Sequence, residues 1–139
     1  MKTRSALPSF AIGLMLAITT TAIAFAQESS NIDSPQRIEQ KRTDLSGAPN
    51  MEVIASIAEY KPGDTIDLHS HHGVEVAYVV QGASVQVPGK EPITLATGTT
   101  LMNLRDVKHA GFKVVGNTSL KLFTVHVADK DKPLYDYVK

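Results

Sequence analysis

The sequence contains no cysteine. That excludes disulfide cross-links, a lipid-modified amino-terminal cysteine and any thiolate ligand, so a metal bound here can draw only on nitrogen and oxygen donors. The chain has no net charge, with 14 basic and 14 acidic side chains. It therefore lacks the electrostatic footprint of a nucleic-acid binder or of a protein that docks on an anionic membrane. After residue 26 there is no long apolar run, and so no later candidate for a membrane span. A sustained helical period is also missing beyond that point, which argues against a helical core.

What is present falls into four segments. The chain opens with Met1-Lys-Thr-Arg4, continues through an apolar stretch from Phe10 to Ala26, and reaches the small-x-small sequence Ala24-Phe25-Ala26. A basic head, an apolar middle and an Ala-x-Ala end predict a secretory signal peptide over residues 1–26, cleaved before Gln27. The apolar stretch is shorter than the ~20 residues a spanning helix needs, and Thr19-Thr20-Thr21 interrupts it. The expected destination is outside the cytoplasm, in the periplasm or beyond. Cleavage would leave a slightly acidic chain, long enough for one core but not for two. Residues 27–50 are polar and read as a linker, with Arg37 to Leu45 as a possible edge strand.

From Met51 the texture changes. Short runs rich in Val, Ile, Thr and Tyr follow: 51–60, 65–71, 74–80, 83–87, 93–97, 100–104, 112–115 and 119–128. Turn signals separate them at Pro62-Gly63, Gln81-Gly82, Pro88-Gly89-Lys90, Thr97-Gly98 and Gly116-Asn117. Many short strands at such spacing predict an all-β domain, a sandwich or barrel over residues 51–128, followed by a tail over 129–139. Lys61-Pro62-Gly63-Asp64 has the Pro-Gly order of a type II turn, and Gln81-Gly82 reads as a hairpin.

The chemistry concentrates between Gly63 and Gly82. His69 and His71 are two apart, and on a strand residues two apart face the same way. After a bend at His72-Gly73, Glu75 can bring a carboxylate to the same point from the next strand. Neutral imidazole and carboxylate together suit a divalent ion such as iron, manganese, zinc, nickel or copper.

This stretch resembles the first motif of the cupin family. Glycine, five residues, His-x-His, three residues, glutamate, six residues and glycine all stand at the family spacing, from Gly63 through His69, His71 and Glu75 to Gly82. The resemblance implies a double-stranded β-helix, or jelly-roll barrel, enclosing a pocket, here in a small single-barrel member. It also implies a second motif starting at Gly98, with a third histidine ligand at His109, eleven residues on. That motif departs from the family pattern at three places: Leu104 replaces the usual proline, Asp106 a glycine and Lys113 an asparagine. The implied ligand set is His69, His71, Glu75 and His109. Four protein ligands leave positions open on a five- or six-coordinate ion, as in a catalytic site. The family includes dioxygenases, isomerases, decarboxylases, lyases and binding modules. The expected partner is a small organic molecule, in a dioxygenase-like reaction or in simple binding, and family habit adds a homodimer paired through sheet edges.

Other residues carry lesser expectations. His72 should face away from His71. His126, on an apparent buried strand, reads as a core or interface histidine with its hydrogen bonds satisfied, with a pocket-lining acid or base as the alternative. Tyr78 reads as a packed aromatic, with a place in the pocket lining as the alternative. Arg105, Asp106 and Lys108 read as a solvated loop, although arginine there can hold a carboxylate substrate. Tyr135 and Tyr137, at alternate positions in the tail, can cover an open end of the barrel or a partner subunit.

Overall fold

The structure, a computed structural model, describes residues 33–138. The expected signal peptide and the first residues of the polar segment lie outside the described residues. In chain order the strands are β1 (Arg37–Asp44), β2 (Met51–Tyr60), β3 (Thr65–Ile66), β4 (His69–Ser70), β5 (Gly73–Gln81), β6 (Ala83–Gln86), β7 (Ile93–Leu95), β8 (Thr100–Asn103), β9 (Phe112–Val115), β10 (Leu120–Asp129) and β11 (Asp136–Tyr137). None of the described residues is helical. The all-β expectation holds, and the strands form the double-stranded β-helix.

Three antiparallel sheets make up the barrel: β1-β2-β10-β5-β8, β3-β9-β6-β7, and the small pair β11-β4. The strict alternation of β2, β5 and β10 builds the interior. Ile54, Ser56, Ala58 and Tyr60 face inward from β2, Glu75, Ala77 and Val79 from β5, and Leu120, Leu122, Thr124 and His126 from β10. Val85 and Val114 meet them from the four-stranded sheet. Each such aliphatic side chain contributes about 1.5–3 kcal/mol by leaving water. A second, smaller cluster of Ile54, Ala128, Leu134 and Tyr135 closes one end.

Two turns form as the sequence predicts. Asp64 N donates to Lys61 O at 2.9 Å, with Gly63 at a φ of 98°. Lys90 N donates to Val87 O across the β6–β7 hairpin, with Gly89 at 74°.

Three expectations need correction. Gln81-Gly82 is not a hairpin, because β5 and β6 belong to different sheets and do not pair. Gly82 is required for another reason: a Cβ there would lie 2.5 Å from Leu95 O. The chain does bend at His72, but Gly73 is needed there for close approach rather than for turning. A Cβ on it would lie 2.1 Å from Val127 O on β10, so the absence of a side chain lets the two backbones close. Residues 65–71 are not one strand, since the chain leaves β3 for β4 at Asp67-Leu68 and changes sheet there.

Tyr78 is also misjudged. It points outward from β5, 46% exposed, because the inward positions on that strand belong to Glu75, Ala77 and Val79.

Candidate metal centre

His69 sits on β4 and His71 just after it, both buried. Glu75 lies on β5, whose register sets it directly opposite Asn103 of β8 and His126 of β10. His109 pairs with His69 across an isolated bridge, their backbones exchanging hydrogen bonds at 2.8 and 3.2 Å. That bridge brings the second-motif histidine to the first motif. Leu104 to Val107 turns as required, because Asp106 adopts a left-handed φ of 59°. Aspartate tolerates this conformation where the family pattern has glycine.

The three histidines are oriented alike. His69 Nδ1 donates to Asp67 O at 2.7 Å, His109 Nδ1 to Val107 O at 2.9 Å, and His71 Nδ1 to Leu134 O. A carbonyl can only accept, so each Nδ1 carries the proton and each Nε2 keeps its lone pair. These lone pairs converge. His71 Nε2 lies 3.2 Å from His109 Nε2, and Glu75 Oε2 lies 3.3 Å from the first and 3.4 Å from the second. The ring of His69 stands 4.8 Å from that of His71 and 4.4 Å from that of His109. The potential ligand atoms of His69, His71 and His109 fall within 4.8 Å of one another, and so do those of His71, Glu75 and His126. Buried acceptors facing one another at such distances repel unless a cation lies between them. The donor set fits a divalent ion of the kind expected.

The electrostatics agree. Burial disfavours a charge on Glu75, yet the imidazoles of His109 and His71 beside it outweigh burial and hold its carboxyl far below the usual range. Burial also works against a charge on His109, but the nearby Glu75 carboxylate favours its protonated form and raises it. Burial depresses His69 to about 4, despite the Asp67 carbonyl, and His126 to about 4.

A pH dependence of the metal-free protein follows. The unfolded chain takes up protons on His69 and His126 near pH 6.5, whereas the fold refuses them down to about 4. The unfolded state therefore binds more protons in this window, and stability falls as pH drops from about 6.5 to 4. His109 has the opposite sign, but its contribution is complete below 6.5 and cannot offset the loss. Urea midpoints should decline steadily between pH 7 and 4.5. A midpoint constant over that range would show the imidazoles to be freely titrating.

Other side chains surround the ligands. Asn103 Nδ2 donates to Glu75 Oε2 at 2.7 Å. Tyr135, 5% exposed, places its ring 4.8 Å from that of His69 and 5.0 Å from that of His71, and Tyr137 stacks on it. β11 pairs with β4, so the tail covers this end of the barrel. The alternate tyrosines were the available signal for the tail; nothing local marks Asn103.

His126 is in the core, but its bonds are not satisfied: it is fully buried, neither ring nitrogen has a partner among the described residues, and Nε2 lies 3.5 Å from Glu75 Oε1. His72 turns away toward Asp106 at 3.4 Å. Arg105 is not free to hold a substrate, because both its terminal nitrogens bind Asp129 at 2.8 Å on the surface.

A cavity of about 80 Å³ opens beside the centre, lined by Glu75, His69, His109, Asn103 and Tyr135 among largely apolar walls. A larger, charged groove of about 320 Å³ lies elsewhere, among Arg37, Arg42, Glu52 and Lys130, and contains none of these histidines.

Comparison with known proteins agrees with this architecture. Residues 56–126 match the family described as "Cupin domain". No curated protein matches the sequence. Among solved structures, a conserved protein with a double-stranded β-helix domain from Klebsiella pneumoniae superposes with a TM-score of 0.55 at 15% identity, covering 77% of this chain and 88% of that one. The polyketide cyclase RemF from Streptomyces resistomycificus superposes with a TM-score of 0.51 at 18% identity, covering 76% and 72%. A structure of the DMSP lyases RdDddP and RnDddQII gives a TM-score of 0.50 at 16% identity, covering 63% of this chain but only 44% of the other. At such identities the likeness speaks for the fold alone. With the family match spanning half of the sequence and the barrel built as described, the chain belongs to the cupin family.

Proposed function

We propose that this protein binds one divalent metal ion through His69, His71, Glu75 and His109 and uses it on a small organic molecule, in a dioxygenase-like reaction. The observation that carries this reading is the convergence of carbonyl-anchored imidazoles and one carboxylate beside a cavity. When bound, the ion would supply a Lewis acid and, with iron, a route for electrons between substrate and dioxygen. The chain's own contribution is positioning and exclusion of water. Ala77, Leu101, Phe112 and Leu122 wall the cavity with apolar surface, and Tyr135 covers its end. Among the described residues the lining includes no lysine or arginine, so an anionic group would have only the ion to pair with, and the apolar walls favour a compact, largely neutral substrate. Its volume is well under the ~300 Å³ at which drug-sized pockets begin.

A non-catalytic binding module is the second reading. The lining residues other than the ligands offer no free general base: burial raises Tyr60 and Tyr135 and keeps both hydroxyls protonated. One experiment separates the two. Elemental analysis of protein purified without chelators should find about one ion per chain. Anaerobic loading with iron(II), followed by oxygen and a panel of neutral phenols and diketones, should then show substrate-dependent oxygen uptake. A panel member that raises the melting temperature but returns unchanged would favour the binding module. No bound ion under any loading would remove the enzyme and the metal-binding module, and leave only a module that binds a small molecule without a metal.

The amino-terminal segment supports export to the periplasm, and sequencing of the mature protein should begin at Gln27. We also propose a homodimer, through a face rather than an edge. The β1 edge is charged and kinked between Glu39 and Lys41, which discourages pairing. The outer face of the five-stranded sheet instead exposes Tyr78 beside Phe123, with Val80 and Met102 nearby. Tyr78→Lys should weaken dimerisation by about 30-fold or more, the effect of losing one interface hot spot. Light scattering that finds a monomer at all concentrations would refute the pairing.

A further inference from the structure

Glu75 lies on β5 between two strands, and its registered neighbour on each is polar and faces inward: Asn103 on β8 and His126 on β10. Asn103 Nδ2 donates to Oε2 at 2.7 Å. His126 Nε2 stands 3.5 Å from the other oxygen, Oε1. The His126 ring is fully buried, 0% exposed, and both its nitrogens lack partners among the described residues. A buried polar group left wholly unpaired is rare and calls for a cause.

Two roles compete for this ring. The histidines of the metal centre each have Nδ1–H anchored to a carbonyl, which presents the Nε2 lone pair outward. His126 has no such anchor on Nδ1. Its one proton is free to sit on Nε2, and there it faces a carboxylate oxygen. A lone pair on Nε2 would instead confront the lone pairs of Oε1. Burying an unpaired acceptor at Nδ1 is also easier than burying an unpaired donor. The separation exceeds an ordinary N–H···O bond, so the approach is an electrostatic one between the ring N–H and the carboxylate oxygen.

We propose that His126 is a positioning residue whose Nε2–H holds Glu75 Oε1, so that Oε2 alone is presented to a metal and a coordination position stays open for substrate. This rests on the metal reading above. Asn103 and His126 then clamp the carboxylate from both flanking strands, and the choice between one-oxygen and two-oxygen coordination is made by the strand register. Ring contact with His71, at 4.6 Å and 80°, fixes the His126 plane.

The test uses the zinc-loaded full-length protein, with zinc affinity from competition titration and ligand count from X-ray absorption. The parent should show three imidazoles and a single carboxylate oxygen. His126→Leu should bind zinc roughly 10–100-fold more weakly, the usual effect of removing a group that orients a ligand, and should gain a second carboxylate oxygen at the ion. His126→Gln, whose amide can donate, should restore both readouts toward the parent. An affinity and spectrum unchanged in His126→Leu would overturn the proposal. So would four imidazoles in the parent, a result that needs no variant to fold and would make His126 a ligand. Failure of the parent to take up zinc would overturn the metal reading itself and this proposal with it.

Discussion

Replacing His71 with alanine is expected to abolish stoichiometric metal binding. His71 belongs to both clusters of potential ligands, His69–His71–His109 and His71–Glu75–His126. Its Nε2 meets His109 Nε2 at 3.2 Å and Glu75 Oε2 at 3.3 Å, so it stands at the meeting point of the ligand atoms. Its Nδ1–H also ties the tail to the site through Leu134 O. Removal should cost more than the ~10–100-fold in affinity that loss of an outer-shell group costs. The variant should also stay at the metal-free melting temperature when zinc or manganese is added, while the parent rises by binding linkage. His72→Ala is the control, because that ring turns to Asp106 and should leave affinity unchanged. Equal metal content in His71→Ala and parent would mean that the converging imidazoles hold no ion.

Gly73→Ala is expected to be the most destabilising single methyl in the barrel. Its Cβ would lie 2.1 Å from Val127 O and 2.5 Å from Ala128 Cα, and both are backbone atoms that cannot swing aside. β5 would have to part from β10 two residues from Glu75, in the pairing that sets His126 opposite the carboxylate. Overpacking usually costs about 1–3 kcal/mol, and a clash with backbone on a central strand should reach or exceed the top of that range. At about 4–8 °C per kcal/mol for a domain of this size, the melting temperature should drop by more than about 10 °C. Gly63→Ala is the comparison. It has open space around it and only a positive φ to contend with, so about 1–2 kcal/mol is expected. Chemical denaturation of the two variants should rank them clearly. A Gly73→Ala protein as stable as Gly63→Ala would show that β5 and β10 are not packed as closely as described.

Much of the fold was written locally. Short runs rich in Val, Ile, Thr and Tyr between turn signals declare strands, as in 51–60 and 119–128, and Pro62-Gly63 and Pro88-Gly89 declare turns by their own conformational limits. Where the glycine served close approach, the local reading failed. Gly73 and Gly82 look like turn residues, yet their purpose lies in Val127 and Leu95, far along the chain. Tyr78 failed for a related reason: alternation says that one face is inside but not which one, and the inward register is chosen by Glu75, Ala77 and Val79 together.

At the site the division is similar. His69, His71 and Glu75 were visible because short-range geometry groups them, and His109 through its resemblance to a second motif. Asn103 was invisible as a partner of that group, His126 was legible only as an alternative pocket residue, and Tyr135 only as a cover for an end of the barrel. Asn103 and His126 touch Glu75 only because β8 and β10 flank β5 in register, and Tyr135 reaches His69 only because β11 pairs with β4.

By itself, then, the sequence determined an all-β chain without cysteine, restricted to nitrogen and oxygen donors, with imidazoles and a carboxylate spaced for one ion. Tertiary structure alone decided which carbonyl anchors each imidazole, what flanks the carboxylate and how the end of the barrel is covered. The reason is that strand alternation and turn preference act over a few residues, whereas hydrogen-bond partners across a sheet come from strands whose order no local pattern encodes.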